Sequence, residues 1–237
     1  MVAALDREIR PLVRRWKPSE KEYGGRRFRF YEGDNTVLTC GGIGAEPARR
    51  AAEAVIALYS PALIYSAGFA GALDPRLKIG DVIVPRRVID AGDGSSVDTG
   101  HGEGLLVTYS AVASPEHKQR LAASYGAHAV DMEAAAVARA AEARGVQFAA
   151  VKAISDESNS ALPDMDRFIN ADGQLGTGRF ALFAAIRPWT WSTVLRLASD
   201  SNCASRSLCN WIEQMDTSHF ATDQFSVTGS LRSRDPR

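Results

Sequence analysis

The chain is 237 residues long, with lysine plus arginine (28) balancing aspartate plus glutamate (28) and apolar residues at 45%. That length fits one large α/β domain, or one domain with an appended tail, and the zero net charge offers no general field to nucleic acid or to an acidic surface. Three scattered cysteines, Cys40, Cys203 and Cys209, form no CxxC pair, which argues against a zinc site or a disulfide framework and fits a reducing cytoplasm.

The segment from Met1 to Arg15 is charged and lacks the continuous apolar core of a signal peptide. No run of about 18 apolar residues is present to span a membrane. A soluble, cytoplasmic protein is expected. Met1 to Leu5 reads as the end of a buried strand and Asp6 to Trp16 as a helix; so short a strand predicts residues upstream of Met1. Phe28 to Tyr31 and Thr36 to Thr39 form a hairpin around the turn residues Gly33-Asp34-Asn35. Gly41-Gly42-Ile43-Gly44 precedes an alanine-rich helix, Glu46 to Tyr59, closed by Ser60-Pro61. Ala62 to Ala67 is a strand, and Gly68-Phe69-Ala70-Gly71-Ala72 a glycine-broken loop.

Asp81 to Pro85 is a further strand, while residues 90–104, rich in glycine, aspartate and serine, predict a mobile loop. Leu105 to Ala113 alternates like a strand, and Pro115 to Tyr125 is helical. Ala127 to Asp131 is a short strand running into the helix Met132 to Arg144, which Gly145 stops. Val146 to Ile154 is a nearly continuous apolar run, as in a central strand covered on both faces. Strands alternating with helices predict a three-layer αβα sandwich over a central mixed, mostly parallel sheet, occupying residues 1–188. From 189 to 216, Trp191, Leu195, Ala198, Leu208, Ile212 and Met215 recur at roughly helical spacing. That stripe predicts a helical extension packed on the parent domain or a partner subunit, with contact to a membrane surface as the lesser reading. The polar, serine-rich stretch 217–237 predicts a disordered tail.

Several side chains have chemistry to offer, and each also has an innocent reading. Glu133 opens a helix, where the macrodipole favours a carboxylate with or without a function. Asp156 ends the last strand, and Ser-Asp pairs there often cap the next turn. Glu8 can be one charge on the solvated face of the first helix. The glycines from Gly68 to Gly71 can make a tight turn or present N–H groups to an anion. His101, His117 and His128 lie on unrelated elements without an HxxxH pair, so no metal site is expected.

Taken in order, Gly42-Ile43-Gly44, Ser66-Ala67-Gly68-Phe69-Ala70-Gly71, Lys78-Ile79-Gly80-Asp81, Asp131-Met132-Glu133-Ala134 and Ile154-Ser155-Asp156 resemble the purine nucleoside phosphorylase and nucleosidase superfamily. Within it they look closest to the methylthioadenosine/S-adenosylhomocysteine nucleosidases. The segment Gly104 to Ile154 and the stretch Ala161-Leu162-Pro163 also resemble the hopanoid-associated phosphorylases. The resemblance covers roughly residues 3 to 190.

It implies an enzyme that cleaves the N-glycosidic bond of an adenine-type nucleoside, with no metal or organic cofactor. It also implies a homodimer or larger assembly, while the balanced charge already argued against a nucleic-acid partner. By resemblance, Glu133 accepts the ribose hydroxyls, a task that suits a charged acceptor, and Met132 packs on the sugar. Asp156, oriented by Ser155, passes a proton to the purine N7 so that the base leaves neutral; such help is typically worth about 10²–10⁴-fold. Glu8 activates the attacking water, and with Glu133 favours an oxocarbenium-like transition state. Phe69, Ala70 and Gly71 flank the nucleophile and the ribose.

Three positions depart from the family pattern. Phe69 stands where many relatives carry serine or threonine, which makes the pocket floor more apolar. Val112 stands where an aromatic stacks on the base, forgoing about 1 kcal/mol. Ser66 stands where the hexameric phosphorylases place an arginine, so Arg76 or Arg86 would have to reach back to clamp phosphate. Hydrolysis is therefore the leading expectation. Phosphorolysis of a purine nucleoside such as an adenosyl-hopanoid lipid, with phosphate as second substrate, is the alternative, and a nucleoside-binding module without turnover is another.

Overall fold

Alternation along short apolar strands sorts the core onto two faces of a single mixed sheet. The structure is a computed structural model and describes residues 1–161, 170, 172–174, 176 and 191–219. Its elements are β1 (Val2–Ala3), α1 (Asp6–Val13), β2 (Lys17–Tyr23), β3 (Arg26–Glu32), β4 (Val37–Cys40), α2 (Ala45–Tyr59), β5 (Leu63–Ala72) and β6 (Val82–Ile83). There follow β7 (Arg87–Asp90), β8 (Ser96–Asp98), β9 (Leu105–Thr108), α3 (Pro115–Tyr125), β10 (Ala129–Asp131), α4 (Ala134–Glu142), β11 (Gln147–Asp156) and α5 (Trp191–His219). The strand order is β2-β3-β4-β1-β5-β10-β9-β7-β8, with β11 paired to β5 and β6 to β11.

On one face, Val2, Ile64, Ala150 and Ile154 pack against the alanines of α2 and α4. On the other, Ala3, Ala67, Val151 and Ala153 pack against Ile9 and Leu12 of α1 and against Ala204, Leu208, Cys209 and Ile212 of α5. Neighbouring residues of one strand thus go to opposite layers, as the pleat requires. The result is the α/β layering expected from the sequence. Only the second half of the apolar stripe of α5, from Ala204 to Met215, covers this sheet; Leu195, 70% exposed, and Ala198 face outward, so the packing expected of the whole stripe holds for that half alone. Among the described residues, no helix is long and apolar enough to cross a membrane.

The central strand β5 determines where a ligand can sit. β11 runs parallel along it from the pair Gln147–Leu63 onward. Its other edge is shared: β1 pairs in parallel at Ser66, whereas β10 pairs antiparallel at Gly71 and Ala72. The carboxyl ends of β1 and β10 therefore face each other across a break opposite Ala67 to Ala70. Ligands of open α/β sheets favour such crevices outside strand carboxyl ends.

Two local expectations change, and one strand was not anticipated. Gly68 to Ala72 is the second half of β5 and not a loop, because its glycines answer to close side-chain approach and not to a turn. The segment 90–104 contains β8, which forms a hairpin with β7 through pairs such as Val88–Val97. The charged stretch Lys17–Tyr23 is a strand held by β3 along its whole length, with an alternating exposed and half-buried pattern. Leu162, Pro163 and residues 220–237 lie outside the described residues, while 217–219 belong to α5.

Helices α2 and α4 meet through alanine: Ala51, Ala52 and Ala54 from one, Ala134, Ala138 and Ala141 from the other, all at most 1% exposed. Small side chains let the helices approach closely, and a dense interior has no spare volume. Ala138→Leu should therefore cost about 1–3 kcal/mol. Thermal denaturation should show the midpoint falling by roughly 2–4 °C for each kcal/mol; an unchanged midpoint means the interface has room.

Candidate active site

The break along β5 opens into a cavity of about 160 Å³. Glu8 and the end of β1 form one wall; Asp131, Met132 and Glu133, at the end of β10, form the opposite one. Phe69, Ala70 and Gly71 of β5 make the floor, and Ser155 and Asp156 close the end of β11. Val112 lines the same space. Glu8, Phe69, Ala70, Gly71, Val112, Met132, Glu133, Ser155 and Asp156, the residues the resemblance placed around the nucleoside, thus border one cavity.

Glu8 is 4% exposed. Its Oε2 accepts from the Ala4 and Leu5 N–H groups at 3.0 and 3.1 Å, so the acid at the third helical position reaches back to the chain entering α1. Burial raises its pKa above the ordinary carboxylate value, against the opposing pull of the Leu5 N–H and of Lys152. A Cβ on Gly68 would lie 3.0 Å from Glu8 Oε2, so the glycine makes room for this acid.

Glu133 is held from two sides. Its Oε1 accepts from the Gly44 N–H at 2.8 Å and its Oε2 from the Met132 N–H at 3.3 Å. Gly44 has φ 98°, a conformation that favours glycine, and it heads α2. The Gly42-Ile43-Gly44 motif therefore aims a backbone donor at the acid. Burial first, and the charge of Asp131 second, push the Glu133 pKa up to about 7.

Asp156 is 6% exposed and is bound on both oxygens. Ser155 Oγ donates to its Oδ1 at 2.7 Å, and the Lys118 ammonium pairs with its Oδ2. A Cβ on Gly71 would come within 2.9 Å of that Oδ2 and 3.2 Å of Lys118 Cε. The two glycines of β5 thus clear space for two different acids.

In the wall of the cavity, a fourth acid, Asp131, is neutralised internally. Lys152 Nζ lies 2.8 Å from Asp131 Oδ2 and donates to Ser66 Oγ at 2.9 Å. Asp131 also accepts from Thr108 Oγ1 at 2.6 Å and from the Ala134 N–H at 2.8 Å, while Thr108 Oγ1 accepts from the Ala135 N–H at 3.0 Å. Burial works against the charge of Lys152, yet Asp131, Glu133 and Glu8 together outweigh it and raise its pKa. Asp131 and Thr108 thereby satisfy the first turn of α4, which carries Glu133 at its cap.

Sequence reasoning missed Lys118, Lys152, Thr108 and the part played by α5. Leu197 and Ser201 of α5 line the cavity, and Ser205 Oγ donates to the Arg7 and Glu8 carbonyls at 3.0 Å. The lone charge inside the apolar run Val146–Ile154 was a usable signal for Lys152; the others had none. The arginines considered for phosphate are elsewhere: Arg76 pairs with Asp74 and Arg86 with Asp98, both at exposed positions outside the cavity lining. The cation beside Ser66 is Lys152.

The sequence profile of the phosphorylase superfamily matches residues 1–115 and 105–183. The chain belongs to that superfamily. The 5'-methylthioadenosine/S-adenosylhomocysteine nucleosidase of Staphylococcus epidermidis is 26% identical over 198 residues, covering 67% of this chain and 86% of the relative. Its counterpart from Staphylococcus aureus is 25% identical over 197 residues, with the same coverage of 67% and 86%. Among solved structures, futalosine hydrolase of Helicobacter pylori superposes with a TM-score of 0.67 at 20% identity, covering 92% of this chain and 96% of that one. The Neisseria meningitidis 5'-methylthioadenosine/S-adenosylhomocysteine nucleosidase, in complex with methylthio-immucillin-A, gives 0.68 at 20% identity, covering 92% and 97%. These superpositions establish the fold.

Removing one partner of a buried ion pair leaves the other charge uncompensated. Lys152→Met should therefore destabilise the protein by about 3–5 kcal/mol. Urea unfolding followed by tryptophan fluorescence measures this, and a loss under about 1 kcal/mol would show that Asp131 finds other compensation.

Proposed function

We propose that this protein hydrolyses the N-glycosidic bond of an adenine-type purine nucleoside and releases the free base. The observation that carries the reading is the meeting of Glu8, Glu133 and Asp156, from three distant parts of the chain, around one cavity with an apolar floor. The family, and relatives named as 5'-methylthioadenosine/S-adenosylhomocysteine nucleosidases, support the reaction and the substrate class.

In this reading the ribose lies against Met132, with its hydroxyls donating to Glu133. Charged acceptors hold such donors more strongly than neutral ones. Water is positioned by Glu8, whose burial-raised pKa makes it a better base than an exposed carboxylate near neutral pH. As the C1′–N9 bond stretches, positive charge grows on the sugar between two buried carboxylates, where a preorganised field acts strongly. Asp156, oriented by Ser155, serves the departing base through N7.

Water is favoured over phosphate by charge. The buried cations bordering this region, Lys118 and Lys152, are already paired with Asp156 and Asp131, and the nucleophile's place beside Glu8 is negative. Phe69 and Val112 give the base and sugar apolar walls.

Base release from methylthioadenosine and adenosine, followed with and without phosphate, tests the reading. Turnover should be independent of phosphate, and Asp156→Asn should lower kcat by at least about 100-fold. Undiminished turnover in that variant removes the role of Asp156, and strict dependence on phosphate makes the enzyme a phosphorylase.

The pH profile is a second check. Both Glu8 and Glu133 must be ionised to act, and protonation below the Glu133 pKa of about 7 blocks the ribose contact. Hence kcat/KM should rise with pH through about 7, and the limb belonging to Glu133 should vanish in Glu133→Gln. An identical limb in the variant would assign it to another group.

A further inference from the structure

Lys118 has entered the reading so far only as a cation spent on Asp156, yet its side chain is only 1% exposed and borders the cavity. It projects from the first turns of α3, whose start is set by Ser114 accepting from the His117 N–H and by Pro115. Its ammonium pairs with Asp156 and donates to the Glu157 carbonyl at 2.6 Å. Its stem passes over Gly71, where a Cβ would be 3.2 Å from Cε. Stability does not account for this arrangement, because a buried ion pair contributes little net stability compared with apolar residues of similar volume.

The chemistry of base departure does account for it. A purine leaves as a neutral molecule only if N7 gains a proton, and an aspartate already engaged as the anion of an ion pair has none of its own. We propose that Lys118 is a positioning residue for base departure: it holds Asp156 in place and supplies, through that carboxyl, the proton that N7 takes. This rests on the nucleosidase reading given above.

The step balances without any further reactant. The C1′–N9 bond breaks with its electron pair going to the base. N7 takes a proton from Asp156, which takes one from the Lys118 ammonium. Water bonds to C1′ and gives its proton to Glu8; Glu8 returns a proton to solvent, and the Lys118 amine regains one. Ser155 keeps the other Asp156 oxygen fixed throughout. Of the two carboxylate–lysine pairs at the site, only this one includes the acid at the base-departure end; Asp131, in the other, bonds to the first turn of α4.

The test compares base release by the wild type, Lys118→Met, Asp156→Asn and the double variant. Lys118→Met should lose at least about 30-fold in kcat with KM within about threefold. Because the lysine acts through the aspartate, the double variant should be within about fivefold of Asp156→Asn. A smaller loss in Lys118→Met, a loss confined to KM, or a double variant slower than that margin overturns the proposal. Should Lys118→Met not fold, Lys118→Arg keeps the positive partner but does not release a proton. It should lose kcat likewise, and wild-type turnover in it overturns the proposal. A wild-type protein that releases no base from any purine nucleoside overturns the parent reading as well, whereas an active wild type with an unaffected variant overturns this proposal alone.

Discussion

Along one edge of β5, two short strands arrive from opposite directions and stop, β1 opposite Ser66 and β10 opposite Gly71. The break between them is a consequence of topology. A parallel strand and an antiparallel one cannot meet end to end on the same edge without both chains turning away, and both turn outward at their carboxyl ends. Those turns lead into α1, which carries Glu8, on one side and to Met132 and Glu133 on the other. The cavity is thus built into the strand order, and its acids are placed by backbone and not by loop conformation.

Charge is distributed around that break with some economy. Asp131 and Asp156 each have a buried lysine, whereas Glu8 and Glu133 are held mainly by backbone N–H groups. Burial raises the pKa of both glutamates, and Lys152 partly offsets this from below. All four acids line the cavity, and the two without a lysine partner, Glu8 and Glu133, leave their charge for positive charge developing on a sugar. The helix α5 closes the far layer and fixes the Glu8 backbone through Ser205, so a segment distant in sequence supports the first acid.

The layered fold was legible from residue patterns because burial repeats with the period of each element. Val146 to Ile154 read as a covered strand, and it is one, packed against the helices of both layers. Where the pattern misled, a tertiary demand had taken over. Gly68 and Gly71 have the composition of a turn, but they are glycines because carboxylates lie where their Cβ atoms would be. The charged strand Lys17–Tyr23 lacks an apolar face of its own and is ordered by pairing with β3.

For the site, the residue types alone left Glu8, Glu133 and Asp156 with innocent alternatives; the family resemblance singled them out, through the Asp131–Ala134 and Ile154–Asp156 motifs for the latter two and the Ala4-Leu5-Asp6-Arg7-Glu8-Ile9 run for Glu8. By itself the sequence determined the αβα layering and which acids to watch, because both follow from local periodicity and short motifs. The tertiary structure alone decided that Lys118 would meet Asp156, that Lys152 would meet Asp131, and that α5 would brace Glu8. Those pairings join residues far apart along the chain, and no local spacing records which buried charge finds which partner.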